Sequence, residues 1–181
     1  MRRTITILLA LVMILSFAAC GGSITKDDLE KALKTTNEDI VLQKEDGVEN
    51  EYHYSQESAT ETSEYVVKTK NGTDAVESLE ITYHNVDTTR LGSTDSIMKV
   101  IDVIMNRPND STLGDMKVGI CISQVMNLVT LFDSSTKKMN TTELLSGVAE
   151  VFTTGSAQFG SWTITSRMDN SNNTLTIAVR Q

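Results

Sequence analysis

The chain has 181 residues, 39% of them hydrophobic and 5% aromatic, with one proline, two cysteines and a formal net charge of −8. That length gives one domain with a sizeable core, and two cysteines rule out a disulfide framework. An acidic balance of this size argues against binding nucleic acid or anionic lipid headgroups by bulk attraction.

At the start of the chain, Arg2 and Arg3 precede an uncharged run from residue 4 to residue 19. The run is too short to cross a hydrocarbon core of about 30 Å comfortably. Its order, basic then apolar then small, is that of a secretory signal. Phe17-Ala18-Ala19-Cys20 resembles the lipobox of bacterial prolipoproteins, departing from it at Phe17, where that family more often carries Leu. The resemblance covers residues 1–22. It implies that the Cys20 thiol takes a diacylglycerol, that a lipoprotein signal peptidase cuts before it, and that the new amine is acylated, as with palmitate. Two or three chains, at about 0.8 kcal/mol per buried CH2, make a stable anchor. Gly21-Gly22-Ser23 then reads as a flexible tether. Gly21, in place of the Asp that marks inner-membrane retention, implies the outer membrane of a two-membrane cell or the outer face of a single membrane. The plainer alternative is an ordinary signal peptide with an incidental cysteine.

The expected organisation is therefore a signal peptide over 1–19, a lipidated Cys20 with its tether over 20–25, and one α+β domain over 26–181. Loss of Arg2 and Arg3 leaves 14 basic side chains against 24 acidic ones, a net of about −10. Lys26 to Asp95 holds 17 acids and 7 bases, whereas Ser96 to Gln181 holds 7 of each. The imbalance lies wholly in the first half, where it suits either a cationic partner or a well-solvated sheet face. Cys121 is then the one cysteine not committed to lipid, in an apolar Val118-Gly119-Ile120-Cys121-Ile122 setting that fits a buried structural thiol.

Ser23 to Asn37 predicts a helix capped by Thr25, with Asp27, Asp28 and Glu30 at its positive end and Leu29, Ala32 and Leu33 on one face. Ile40-Val41-Leu42 begins a strand and Asp46-Gly47 marks a turn. Glu51 to Gln56 alternates, with Tyr52 and Tyr54 opposite His53 and Ser55, and Ser58 to Ser63 reads as a polar connection. Tyr65 and Val67 alternate with Val66 and Lys68. Beyond Asn71-Gly72, Leu79, Ile81 and Tyr83 alternate with Glu80, Thr82 and His84, which predicts a hairpin with one apolar face.

The period then changes. Ser93-Thr94-Asp95 opens a helix with Ile97, Met98, Ile101, Ile104 and Met105 on one face and Lys99, Asp102 and Asn106 on the other, ended by Arg107-Pro108. Thr112 and Asp115 form a capping-box pair, and Met116 to Phe132 is apolar nearly all round, as in a central helix. Gly114 and Gly119 leave a strand over Lys117–Ile122 as the alternative. Asn140 to Glu143 opens a helix carrying Leu144, Leu145, Val148, Val151 and Phe152. Trp162, Ile164 and Met168, then Leu175, Ile177 and Val179, close the chain as a hairpin turning at Asp169–Asn173. Strands, then helices, then strands predict the α+β class: an antiparallel sheet built from hairpins, with three to four helices on one face.

Motifs for chemistry are sparse, and no catalytic, cofactor-binding or metal-binding residue is assigned. His53 and His84 fall opposite the apolar residues of their strands, which predicts solvent-facing positions. Asp169 to Asn173 lacks the glycine and terminal acid of a calcium loop, with Thr174 and Arg180 at those places, and fits a turn better. Ser96-Ile97-Met98-Lys99 and Ser135-Thr136-Lys137-Lys138 match Ser-x-x-Lys without its companion motifs. Met98, Met105, Met116, Met126 and Met139 fit core filling or, alternatively, a groove for apolar ligands. The leading expectation is a lipid-anchored, non-catalytic module at the cell envelope that binds another protein or a small ligand and no nucleic acid. Two alternatives are an envelope-polymer hydrolase using a carboxylate pair such as Asp27/Asp28 or Asp39 with Glu45, and an assembly factor or inhibitor whose sheet edge captures a strand.

Overall fold

A computed structural model describes residues 23–36, 41–43, 49–57, 62–133, 135–136 and 139–181. Cys20, the lipobox-like run, the Asp46-Gly47 turn, Asp39, Glu45 and the Lys137-Lys138 pair lie outside these residues. Among the described residues the order is α1 (Lys26–Thr36), β1 (Val41–Gln43), β2 (Glu51–Glu57), β3 (Thr62–Thr69), β4 (Val76–His84), α2 (Thr94–Asn106), α3 (Leu113–Phe132), α4 (Thr141–Thr154), β5 (Ser156–Phe159), β6 (Trp162–Asp169) and β7 (Thr174–Arg180). The seven strands form one antiparallel sheet in the order β1-β2-β3-β4-β7-β6-β5. Two meanders thus meet where β4 pairs with β7, and the helices pack onto the sheet. This is the α+β class expected from the alternation of periods.

Local signals account for most element ends. Asp28 N–H donates to Thr25 Oγ1 at 3.3 Å while Thr25 N–H donates to Asp28 Oδ2 at 3.1 Å, a reciprocal cap at the start of α1. Leu29, Ala32 and Leu33 are buried, as their spacing predicts. Ser93 caps α2, and Thr112/Asp115 and Asn140/Glu143 form capping boxes on α3 and α4. In the β3–β4 hairpin Tyr65 pairs with Ile81 and Val67 with Leu79, so their side chains share the buried face. Gly72 takes a positive φ of 70° within a six-residue loop, and the register shifts between Lys68 and Thr69. The Asn-Gly signal is therefore a turn inside a longer connection, since the bulge takes up the extra residue.

α3 is a helix throughout, so the strand alternative for 117–122 does not hold. Every residue from Val118 to Phe132 is buried. α1, α2 and α4 each pack against α3, and the sheet lies beneath it, which is why its sequence shows no polar stripe. A Cβ on Gly119 would stand 2.3 Å from Ile104 Cδ1, so this glycine is where α2 comes closest. Cys121 is buried on the same helix.

Three expectations need correction. Ser63 is not in a connection: β3 begins at Thr62, and Ser63 pairs with Gln56 on β2 and Tyr83 on β4. β5 was not expected. It is four residues long, bounded by Gly155 and Gly160 at φ 84° and 60°, too short for a readable alternation. Met98 and Met105 are 38% exposed, because Val100 joins Ile97, Ile101 and Ile104 in the buried stripe and turns it away from both methionines. Met126 is fully buried and Met139 is exposed, so the methionines of this region do not share one environment.

Candidate functional site

The helices cover one face of the sheet, and the side chains that alternate with the core residues point to the other. Register fixes how they line up. One row runs Glu51, Lys68, Ser78, Arg180 and Thr163 from β2 to β6; the next runs His53, Val66, Glu80, Ala178 and Thr165; a third runs Ser55, Glu64, Thr82, Thr176 and Arg167. Ser78 and Thr82 stand at the centre of the first and third rows with ionisable residues near them, whereas Glu80 is central in the second, between Val66 and Ala178. Val66, Lys68, Ser78, Leu79, Glu80, Ala178 and Arg180 line a shallow depression of about 220 Å3 on this face.

Both histidines lie here, opposite the apolar residues of their strands as expected. His53 Nε2 is 2.7 Å from Glu51 Oε1, and His84 Nε2 is 3.6 Å from Glu64 Oε1. Lys68 Nζ sits 2.8 Å from Glu51 Oε2. That hydrogen bond raises the lysine pKa, with the Glu51 charge and those of Glu77 and Glu80 acting in the same direction. The reciprocal bond from Lys68, followed by that from His53, holds the Glu51 carboxyl below its ordinary value. Among the described residues Arg180 and Glu80 form no ion pair or side-chain hydrogen bond, although they stand on adjacent strands one row apart.

The remaining sequence candidates serve the fold. Asp169 accepts from Ser171 N–H, Asn172 N–H and Asn172 Nδ2, the bonding of a turn. Ser96 meets the Ser93 cap through its hydroxyl at 2.9 Å, and Lys99 is exposed. Asp28 belongs to the α1 cap. Among the described residues no three His, Cys, Asp or Glu side chains converge as a metal site. The carboxyl groups with displaced pKa values, Asp28, Glu51, Asp87, Asp102, Asp115 and Asp169, are all displaced downward. At the β5 edge, Thr154 Oγ1 donates to Ser156 C=O at 2.8 Å and accepts from Ser156 N–H at 3.4 Å. An uncharged edge strand is thereby partly closed by its own chain.

One polar cluster was missed. Gln124, fully buried on α3, accepts from Tyr83 Oη at 2.5 Å and lies 3.2 Å through Nε2 from Tyr65 Oη. Tyr65 Oη in turn donates to Gln56 Oε1 at 3.2 Å and meets Ser63 Oγ at 3.0 Å. The signal was present in the sequence: a glutamine in an otherwise apolar helix needs buried partners, and tyrosines on an inward strand face can supply them. Gln56 Nε2 and Ser123 Oγ are buried without a partner.

No family model matches the chain, and neither the curated proteins nor the solved structures hold a significant match to it.

Proposed function

We propose that this chain is a bacterial-type lipoprotein, anchored outside the cytoplasm through Cys20, whose α+β domain is a non-catalytic binding module at the cell envelope. The observation that carries the reading is the ordered run of Arg2-Arg3, an uncharged apolar stretch and Phe17-Ala18-Ala19-Cys20. Acyl chains on Cys20 hold the domain at the outer face of the cell membrane, or at the outer membrane of a two-membrane cell. The partner is an envelope protein or a small ligand reached from that surface. The open sheet face supports this part of the reading. Beside its depression it carries a cation, Arg180, and an anion, Glu80, that make no close ion pair among the described residues. The Thr154 hydroxyl on Ser156 weighs against strand capture at the β5 edge.

Two measurements test the proposal. Intact-mass analysis of membrane-fraction protein is expected to show Met1–Ala19 removed and acyl mass on Cys20; an unmodified soluble product would overturn the anchor. A photo-crosslinker at Thr165 on the open face is expected to capture one envelope component reproducibly in intact cells, with none captured from Lys99 on α2. Equal capture from both positions overturns the binding face. Soluble product released from wall material, and lost on substituting a carboxylate pair, would replace the binding reading with the hydrolase.

A further inference from the structure

The depression on the open face has an arrangement of charge that selects among ligands. β3, β4 and β7 place Lys68, Ser78 and Arg180 in one row and Val66, Glu80 and Ala178 in the next. Ser78 is thus flanked by two cations whose strands are about 10 Å apart, two strand spacings. Glu80 stands two residues along the same strand and points to the same face. Lys68 spends part of its bonding capacity on Glu51 and feels the Glu80 charge, but among the described residues Arg180, Glu80 and the Ser78 hydroxyl make no side-chain hydrogen bond or close ion pair. The floor is small and partly apolar, with Val66 and Ala178 on either side of Glu80.

We propose that this depression binds the zwitterionic head of a free α-amino acid; the inference rests on the binding-module reading above. The ligand carboxylate takes a forked pair of hydrogen bonds from the Arg180 guanidinium and one from the Ser78 hydroxyl, with the Lys68 ammonium on its far side. The ligand ammonium donates to Glu80, and its α-carbon substituent lies over Val66 or Ala178. A volume of about 220 Å3 falls below the roughly 300–1,000 Å3 of pockets for drug-sized ligands, which matches a ligand of this size. A simple anion would leave Glu80 beside it as a repulsive charge. A simple cation would face Arg180 and Lys68. Only a ligand carrying both charges gives the Arg180 guanidinium and the Glu80 carboxylate a direct hydrogen-bonding partner each.

Saturation-transfer NMR on the full-length lipoprotein in detergent micelles, with L-alanine, acetate, ethylammonium and inorganic phosphate as probes, tests this. L-Alanine is expected to bind at least about tenfold more tightly than any probe of single charge, the factor one charge-assisted hydrogen bond supplies. Arg180→Gln should weaken L-alanine and acetate alike by about tenfold, whereas Glu80→Gln should weaken L-alanine by about tenfold and leave acetate unchanged or improved. Both variants replace exposed side chains, and an unchanged melting temperature confirms their folding. Acetate or phosphate binding as tightly as L-alanine would overturn the inference in favour of a plain anion patch, and absence of L-alanine binding would overturn it outright. In either case Thr165 crosslinking that persists in Arg180→Gln would show that the open face still binds a partner, so the two failures are distinguishable.

Discussion

At the scale of single residues, Gln124 and Asp115 show how buried polar groups are tolerated in opposite ways. Gln124 sits in the core because Tyr83 and Tyr65 meet it there, tying α3 to two strands of the sheet. Tyr83→Phe forfeits the buried hydrogen bond to Gln124 and should cost about 1–2 kcal/mol. Gln124→Ala adds a cavity and should cost about 2–4 kcal/mol. The double variant should cost less than the sum of the two, read from urea unfolding of each. Asp115 is buried at the other end of α3. Burial opposes its charge, but the bonds from Thr112 and the Arg90 guanidinium outweigh that and hold its pKa below the ordinary 3.8. A carboxyl depressed on folding contributes stability in full above its unfolded pKa and loses it as pH falls through the folded value. Asp115→Asn should therefore cost about 1–3 kcal/mol at neutral pH, with the gap to the parent narrowing below about pH 4. Unfolding midpoints across pH 2–7 check the sign.

At the scale of elements, the approach of α2 to α3 depends on one missing side chain. Gly119→Ala gains about 1 kcal/mol of helix propensity but drives a methyl against Cδ1 of the buried Ile104, so the packed side chain must shift among its neighbours. The single variant should lose stability by about 1–3 kcal/mol. Adding Ile104→Val removes the clashing Cδ1 and should recover most of that loss, a coupling that a double-mutant cycle measures directly. Element starts were the most legible part of the sequence. Thr25, Ser93, Thr112 and Asn140 cap where they were expected to, because a cap involves only residues three apart. β5 was not legible, since four residues between two left-handed glycines carry too little pattern to declare a strand.

At the scale of the whole molecule, the acid-rich first half builds α1 and the β1–β4 end of the sheet, while the balanced second half builds α2 to α4 and the β5–β7 end. Cys121 lies on α3, within its fully buried stretch from Val118 to Phe132. If Cys20 is acylated as proposed, or is replaced by serine, a thiol reagent should react with native protein only as fast as the domain opens globally. Labelling should accelerate sharply in urea near the unfolding midpoint, and rapid labelling under native conditions would mean that α3 is reached by local opening. The rows of the open face belong to this scale too. His53 and His84 could be placed on that face from alternation alone, but the neighbours of Glu80 and Arg180 could not, because they come from strands about a hundred residues apart in sequence.

By itself the sequence determined the periods, the helix caps, the mixed class, and the short basic and apolar run ending at Cys20. Each of these is written in residues a few positions apart, where backbone geometry and side-chain spacing act locally. Tertiary structure alone decided that residues 113–122 are helical, that Met98 and Met105 face outward, that Ser63 lies within a strand, and that Gln124 meets two tyrosines. It also decided that the Arg180 guanidinium and the Glu80 carboxylate line one depression. Those outcomes depend on which surfaces are covered, and a segment apolar on every side, or a charge on a strand, does not encode what will be packed beside it.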